Sequence, residues 1–146
     1  MREVKVLFLY PNIRVETLVP TSFALFSAIL KSAGFRVELF ATPYYRTPTE
    51  LADLDREKLK NLIVRPYRLD HPVRETDGFD DFRKRVGSFS PDLIAVTATE
   101  NMFPMALHYL QVIADTDVPV LLGGVFATFA PELALRFPEI DMVCVV

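Results

Sequence analysis

The sequence predicts a doubly wound α/β domain, a parallel sheet with helices on both faces. Three observations carry that expectation. Short β-branched and apolar runs alternate with segments of helical apolar spacing. The runs are close to continuously apolar, as strands buried on both faces must be. Chain breakers such as Pro11-Asn12, Ser90-Pro-Asp92 and Gly123-Gly124 stand where one element gives way to the next.

The elements follow in order. Val4 to Tyr10 reads as a strand closed by Pro11-Asn12. In the helix after it, Leu25, Phe26, Ile29 and Leu30 recur at helical spacing, with Ala24, Ala28 and Ala33 expected as small packing positions. Gly34 stands where a left-handed cap is expected. Phe35 to Phe40 alternates apolar and polar, a second strand with one wetter face. This strand–helix–strand unit is expected to be parallel and right-handed. Thr42 to Thr76 is longer than a normal connection and reads as an insert, with a loosely spaced helix over Thr49 to Leu62 and a proline-broken stretch after it. Phe79, Phe82, Val86 and Phe89 mark a short amphipathic helix, and Leu93 to Thr97 a third strand. Pro104 is tolerated only in a first turn, so the next helix starts at Asn101 or Met102 and carries Ala106, Leu107, Leu110 and Ile113. Val118 to Leu122 is a fourth strand running straight into Gly123-Gly124. Pro131 to Phe137 is a short helix, and Asp141 to Val146 a fifth, buried strand. For five such strands the expected order is the flavodoxin-like 2-1-3-4-5.

At 146 residues the chain is expected to form one domain, residues 1–146, with the insert at 42–76. Hydrophobic residues at 51% and charged ones at 24% are globular proportions that exclude disorder. Sixteen basic against 19 acidic residues, net −3, leave no electrostatic footprint for nucleic acid or an anionic membrane. The single cysteine, Cys144, excludes a disulfide framework or a multi-cysteine cluster within these residues. One thiol and no targeting segment point to the cytoplasm, and no apolar run reaches the ~18 residues of a membrane span. A mean hydropathy of +0.24, with 12 Phe and no Trp, suggests apolar surface covered by a partner or another domain. The apolar last residues suggest the N-terminal piece of a longer protein.

In the 2-1-3-4-5 order a ligand crevice lies beyond the carboxyl ends of strands one and three, with strand four beside them. Three loops matter: Pro11 to Ser22, Thr97 to Phe103 and Gly123 to Thr128. The paired glycines permit positive φ and close approach by a ligand or by another stretch of backbone; a plain tight turn explains them equally well. Thr97 and Thr99 can turn hydroxyls to the crevice or serve as turn and cap residues. Glu100 and Asn101 read as capping groups, and Thr21 and Ser22 as a helix start. Several ligands are disfavoured. A phosphoacceptor receiver needs acidic residues where Tyr10-Pro11-Asn12 and Val96-Thr97 stand. Neither a P-loop nor a G-x-G-x-x-G fingerprint is present. Pro11 to Pro20 has no glycine, which disfavours a flavin phosphate loop. His71 and His108 have no companion at metal-ligand spacing, and no nucleophile–base pair is visible, so neither a metal site nor a catalytic residue is expected.

Val4-Lys-Val-Leu-Phe-Leu-Tyr-Pro-Asn12, Ser32-Ala-Gly-Phe-Arg-Val37, Pro91-Asp-Leu-Ile-Ala-Val-Thr97 and, above all, Pro119-Val-Leu-Leu-Gly-Gly-Val-Phe-Ala-Thr-Phe-Ala-Pro-Glu132 followed by Ile140-Asp-Met-Val143 resemble the N-terminal cobalamin-binding domain of B12-dependent radical SAM proteins. The resemblance runs from Val4 to Val146 apart from the insert. It implies a corrinoid over the carboxyl end of the sheet, its nucleotide tail threaded toward Gly123-Gly124 past Thr97 and Thr99. The cofactor-binding set it implies is Pro11, Asn12, Thr97, Thr99, Glu100, Gly123, Gly124, Val125 and Phe126. It also implies a barrel further along the chain as partner, with a CxxxCxxC motif, a [4Fe–4S] cluster and S-adenosylmethionine, in a methyltransferase- or cyclase-type enzyme; dimerisation is a further possibility. The sequence departs from relatives that ligate cobalt through D-x-H-x-x-G, because residues 12–17 read N-I-R-V-E-T. Cobalt would then be held base-off without a protein imidazole. Thr97-Ala-Thr99 replaces Ser-x-Leu, Pro20-Thr21-Ser22 replaces Pro-Leu-Gly, and Val125-Phe126 stands where a His or Pro is common. Two other readings stay open: a cofactor-free scaffold or dimerisation domain of the same family, and a nucleotide- or sugar-binding half of a transferase.

Overall fold

The computed structural model describes residues 3–13, 20–45 and 73–145. Five parallel strands form one sheet in the order β2-β1-β3-β4-β5. They are β1 (Lys5–Tyr10), β2 (Arg36–Ala41), β3 (Leu93–Thr97), β4 (Val120–Gly123) and β5 (Met142–Val143). The helices are α1 (Thr21–Ser32), α2 (Gly78–Phe89), α3 (Phe103–Gln111), α4 (Val125–Phe129) and α5 (Pro131–Ala134). Short 3₁₀ turns at Thr42–Tyr44 and Glu100–Met102 precede the connection to α2 and the start of α3. The expected fold class and strand order are both observed.

The topology sets the layers. The β1–α1–β2 crossover moves toward one edge, and the later crossovers move toward the other. With right-handed connections α1 lies on one face of the sheet and α2 to α5 on the opposite face. The packing agrees. Leu7, Leu9, Ile94, Val96, Val120 and Leu122 point to the α2–α5 face and join Phe82, Val86, Phe103, Leu110 and Phe126 in the main core. Val6, Phe8 and Val37 point the other way, under Phe23 and Leu30 of α1.

Local chemistry fixes the elements. Asp77 caps α2, its Oδ1 accepting from the Phe79 and Asp80 amides at 2.8 and 3.0 Å. Ser90 closes α2 in the left-handed region at φ 50°, and Gly34 follows α1 at φ +85°, as its cap position demands. The Lys5 amide donates to Asp92 Oδ2 at 2.9 Å, which joins the starts of β1 and β3. The Val120 amide donates to Asp141 Oδ2 at 2.7 Å, which sets the start of β4 against the residue before β5.

Several expectations are corrected. Ala24, Ala28 and Ala33 do not pack; they are exposed, and the residues of α1 that meet the sheet are Phe23, Ser27 and Leu30. Leu25, Phe26 and Ile29 lie on the helix flank, 60, 50 and 54% exposed. Helical spacing marks an apolar arc, but only neighbouring elements decide which part of the arc is covered. The fifth strand is two residues long and not buried, Met142 being 42% exposed, because it is an edge with no described element over its α1 side. The start of the insert, Thr42 and Pro43, is fully buried and belongs to the body of the domain. A bridge between Tyr45 and Arg74 brings the two ends of the insert together. The expected helix over Thr49 to Leu62 and His71 lie outside the described residues. Thr21 and Ser22 supply no side-chain cap for α1, whose N-cap is Pro20, and neither Glu100 nor Asn101 caps a helix. The helix α4 over Val125–Phe129 was not expected; its start is set by backbone geometry at Gly124 and not by a capping side chain.

Candidate functional site

The carboxyl ends of β3 and β4 meet side by side, Thr97 paired with Gly123. Beyond that pair the chain turns tightly. The Ala98 amide donates to Gly123 O at 3.3 Å, and the Phe126 amide donates to Ala98 O at 3.2 Å. Between them Gly124 sits at φ +90°, a conformation that L side chains rarely adopt. A Cβ there would lie 2.8 Å from Thr97 Oγ1 and 3.2 Å from the Ala98 backbone. Gly124 therefore lets the β4–α4 turn rest directly on the exit of β3.

Gly123 differs in kind. Its backbone is ordinary extended strand, and a Cβ would meet nothing closer than Val96 O at 3.9 Å and Cys144 Cβ at 4.0 Å. Side chains alternate across a strand, so Gly123 shares the α1 face with Leu93, Ala95 and Thr97 of β3, Leu121 of β4 and Met142 of β5. None of these is buried. Toward the carboxyl end the face becomes shallow, from Leu93 to Ala95 to Thr97 and from Leu121 to Gly123.

Thr97, Thr99, Glu100, Gly123, Gly124 and Val125 gather at these two strand tips, with Thr99, Glu100, Gly124 and Val125 exposed. The other residues of the expected set sit differently. Pro11 and Asn12 are buried at the exit of β1. The Asn12 amide donates to Thr42 Oγ1 at 2.7 Å, that hydroxyl donates to Asn12 O at 2.7 Å, and Asn12 Nδ2 donates to Tyr10 Oη at 2.6 Å. Asn12 thus fastens the β1 loop to the end of β2. Phe126 is 8% exposed and packs at a tilt against Phe103, ring centres 4.3 Å apart, within the α2–α5 core. Its ring lies on the opposite side of the sheet from the open face beside Gly123. Thr42 and Cys144 were missed by the sequence reading. Thr42 follows a strand inside a segment that looked like an insert, and Cys144 reaches this face only through the β4–β5 register.

Shifted ionisable groups lie elsewhere, around α2. Burial raises the Tyr45 and Tyr109 phenols, the former opposed by the Arg74 guanidinium. The Thr76 hydroxyl, donating at 2.6 Å, is the main cause of the lowered Asp81 pKa. His108 is exposed on the middle of α3, and among the described residues no group of three or more His, Cys, Asp or Glu is placed to hold a metal. Among them too, no helix is long and apolar enough to cross a membrane. A cavity of about 450 Å³ lined by Ile113, Val120, Glu139 and Asp141 opens at the amino end of the strands, away from the candidate loops.

The sheet belongs to the class of open parallel sheets whose switch point, here between β1 and β3, is the usual place for a ligand, one strand from the Gly123-Gly124 turn. The comparisons narrow the class. The family model described as the B12 binding domain matches residues 15–146, and the chain belongs to that family. It is 34% identical over 85 residues to an uncharacterized methyltransferase of Pyrococcus horikoshii, covering 52% of this chain and 18% of that protein. The fold is similar to that of the radical S-adenosylmethionine methyltransferase TsrM from Kitasatospora setae, solved with its tryptophan substrate and a SAM analogue. That likeness has a TM-score of 0.62 at 17% identity and covers 90% of this chain and 21% of the other. The chain spans about a fifth of the length of either.

Proposed function

We propose that this chain is the cobalamin-binding module of a radical SAM methyltransferase, and that the corrinoid's nucleotide tail lies against the α1 face of β3 and β4. The observation that carries the reading is Gly123, a side-chain-free position with room beside it on the sheet face that the described residues leave partly uncovered. Ala95, Thr97 and Gly123 form the shallow floor. Thr97 offers a hydroxyl there, and Thr99, Glu100 and Val125 form the exposed rim for the corrin ring. Gly124, Phe126, Pro11 and Asn12 shape the rim from beneath: Gly124 by close backbone contact, Phe126 through the core, and Pro11 and Asn12 by fastening the β1 exit.

The residues present fit a corrinoid held base-off. The chain has two histidines, neither within residues 11–20 after β1, so this module offers the cobalt no imidazole from that loop. When bound, the corrinoid supplies a cobalt centre able to carry a methyl group or an electron. The module's own work is to seat the tail, orient the ring and keep water from one side of it. The [4Fe–4S] cluster and S-adenosylmethionine belong to a barrel elsewhere in the full-length protein, and the enzyme works in the cytoplasm.

The test uses the full-length protein mixed with hydroxocobalamin and passed through gel filtration. Retention of corrinoid with a base-off absorbance spectrum is expected. Gly123→Val should abolish retention while leaving the circular dichroism spectrum and melting temperature close to the parent's. Loss of corrinoid from the parent protein itself, or undiminished retention by the variant, overturns the reading. Gly124→Val does not serve, because it disturbs the turn whether or not a cofactor binds.

A further inference from the structure

The register between β1 and β2 ends at the pair Tyr10 and Ala41. The next residue of the first strand's chain is Pro11, which has no amide to donate, so the backbone ladder cannot run on. Asn12 lies beyond it, 4% exposed, and its buried main-chain groups still need partners. One side chain supplies both. Thr42, fully buried, accepts from the Asn12 amide at 2.7 Å and donates to Asn12 O at 2.7 Å. The same hydroxyl lies 3.5 Å from Met105 Sδ, in the first turn of α3. Thr42 therefore ties the exit of β1 to the end of β2 and sets both against the helix that follows the Glu100–Met102 turn.

We propose that Thr42 is a positioning residue for the cofactor site, an inference that rests on the corrinoid reading and adds a residue to it. The switch point of this sheet lies between β1 and β3, and its two banks are the exit of β1 and the turn after β3. The second bank carries Thr99 and Glu100, the rim for the corrin ring. A cofactor that spans the gap binds best when both banks already stand at the right separation. If the β1 exit comes away in some molecules, the apparent affinity falls in proportion to the fraction still fastened. Thr42 is sealed from solvent, so it acts through Asn12 on one bank and through Met105 on the other. The hydroxyl is what matters: valine has nearly the same shape but neither donor nor acceptor, and serine keeps both.

The test measures the affinity of the full-length protein for hydroxocobalamin by absorbance titration, beside the melting temperature of each variant. Thr42→Val is expected to raise the dissociation constant about tenfold or more, as when the β1 exit stays fastened in about a tenth of the molecules. Thr42→Ser should return it to within about threefold of the parent, because the hydroxyl returns. Ile113→Ala, in the core beside the cavity at the amino end of the strands, should lower the melting temperature and leave the affinity unchanged. A second measurement needs no substitution. In the parent protein hydroxocobalamin should slow hydrogen exchange of the Asn12 amide at least about tenfold, because a ligand that prefers the fastened exit must in turn favour its fastening. Four results each overturn the proposal: Thr42→Val binding like the parent, Thr42→Ser binding as weakly as Thr42→Val, Ile113→Ala weakened as much as Thr42→Val, or Asn12 exchange indifferent to the cofactor. A parent protein that takes up no hydroxocobalamin removes the corrinoid reading itself, and this inference with it.

Discussion

The two faces of the sheet are built from similar residues and end in different states. On the α2–α5 face Leu7, Leu9, Ile94 and Leu122 are fully buried beneath Phe82 and Leu110, which are equally sealed. On the α1 face the buried cluster of the described residues is Val6, Phe8 and Val37, and all three belong to β1 and β2. The sequence alternation that makes a strand apolar on both sides therefore does not say which side is shut. One face supplies the stability of the domain. The other is left partly uncovered by the described residues.

The largest expected contrast is between two phenylalanines. Phe82 is fully buried, with ring contacts to Phe40 at 5.0 Å and to Tyr109 at 5.7 Å. Phe82→Ala should cost about 3–5 kcal/mol. Phe26 is half exposed, and Phe26→Ala should cost about 1 kcal/mol, roughly half the value of burying the ring completely. Urea titrations of both variants measure the difference. Equal losses would mean that the α1 face is closed in solution, and the comparison of the two faces would fail.

A second contrast is between adjacent glycines, one serving the turn and one the open face. Gly124→Ala should cost about 1–3 kcal/mol, because the alanine is held at φ +90° against Thr97 and Ala98. Gly123→Ala fits its extended strand and the space beside it, and should be neutral or stabilising by about 0.4–1 kcal/mol through the unfolded chain. Thermal melts of the two variants decide it. A destabilised Gly123→Ala would show that the space beside β4 is filled.

The sheet order was legible because apolar runs, breakers and the right-handed crossover rule each constrain it independently. The double glycine was legible as a turn closing β4, but its division of labour was not. Only the backbone shows that Gly124 takes positive φ while Gly123 stays extended. Phe126 shared the loop with them and joined the expected site by proximity in sequence, yet helix α4 turns its ring into the core. Asn12 and Thr42 lie 30 residues apart, and no pattern links them until β1 and β2 are paired. The α1 flank was misjudged for a related reason. Spacing reports an apolar arc, and burial depends on what lies across from it.

The smallest expected effect belongs to the first turn of α2, on the closed face. Asp81, in the first turn of α2, accepts hydrogen bonds from Thr76 Oγ1 at 2.6 Å and from Tyr45 Oη at 3.1 Å. These bonds favour the charged carboxylate, the Thr76 bond most, and hold its pKa below the ordinary aspartate value of 3.8. A folded-state pKa lower than the unfolded one contributes stability that is fully present above the unfolded value. That stability fades as pH falls through the folded value. Thr76→Ala removes the principal cause, so the Asp81 pKa should rise toward its ordinary value, and less stability should be lost as pH falls below the ordinary aspartate range. Carboxyl NMR titration of Asp81 in parent and variant reads the shift directly. The side chain is at the surface, so the accompanying change in melting temperature should be slight, far below that of Phe82→Ala. An Asp81 titration unmoved by Thr76→Ala would show that the Asp81 carboxylate, and with it this edge of the closed face, is held by other contacts.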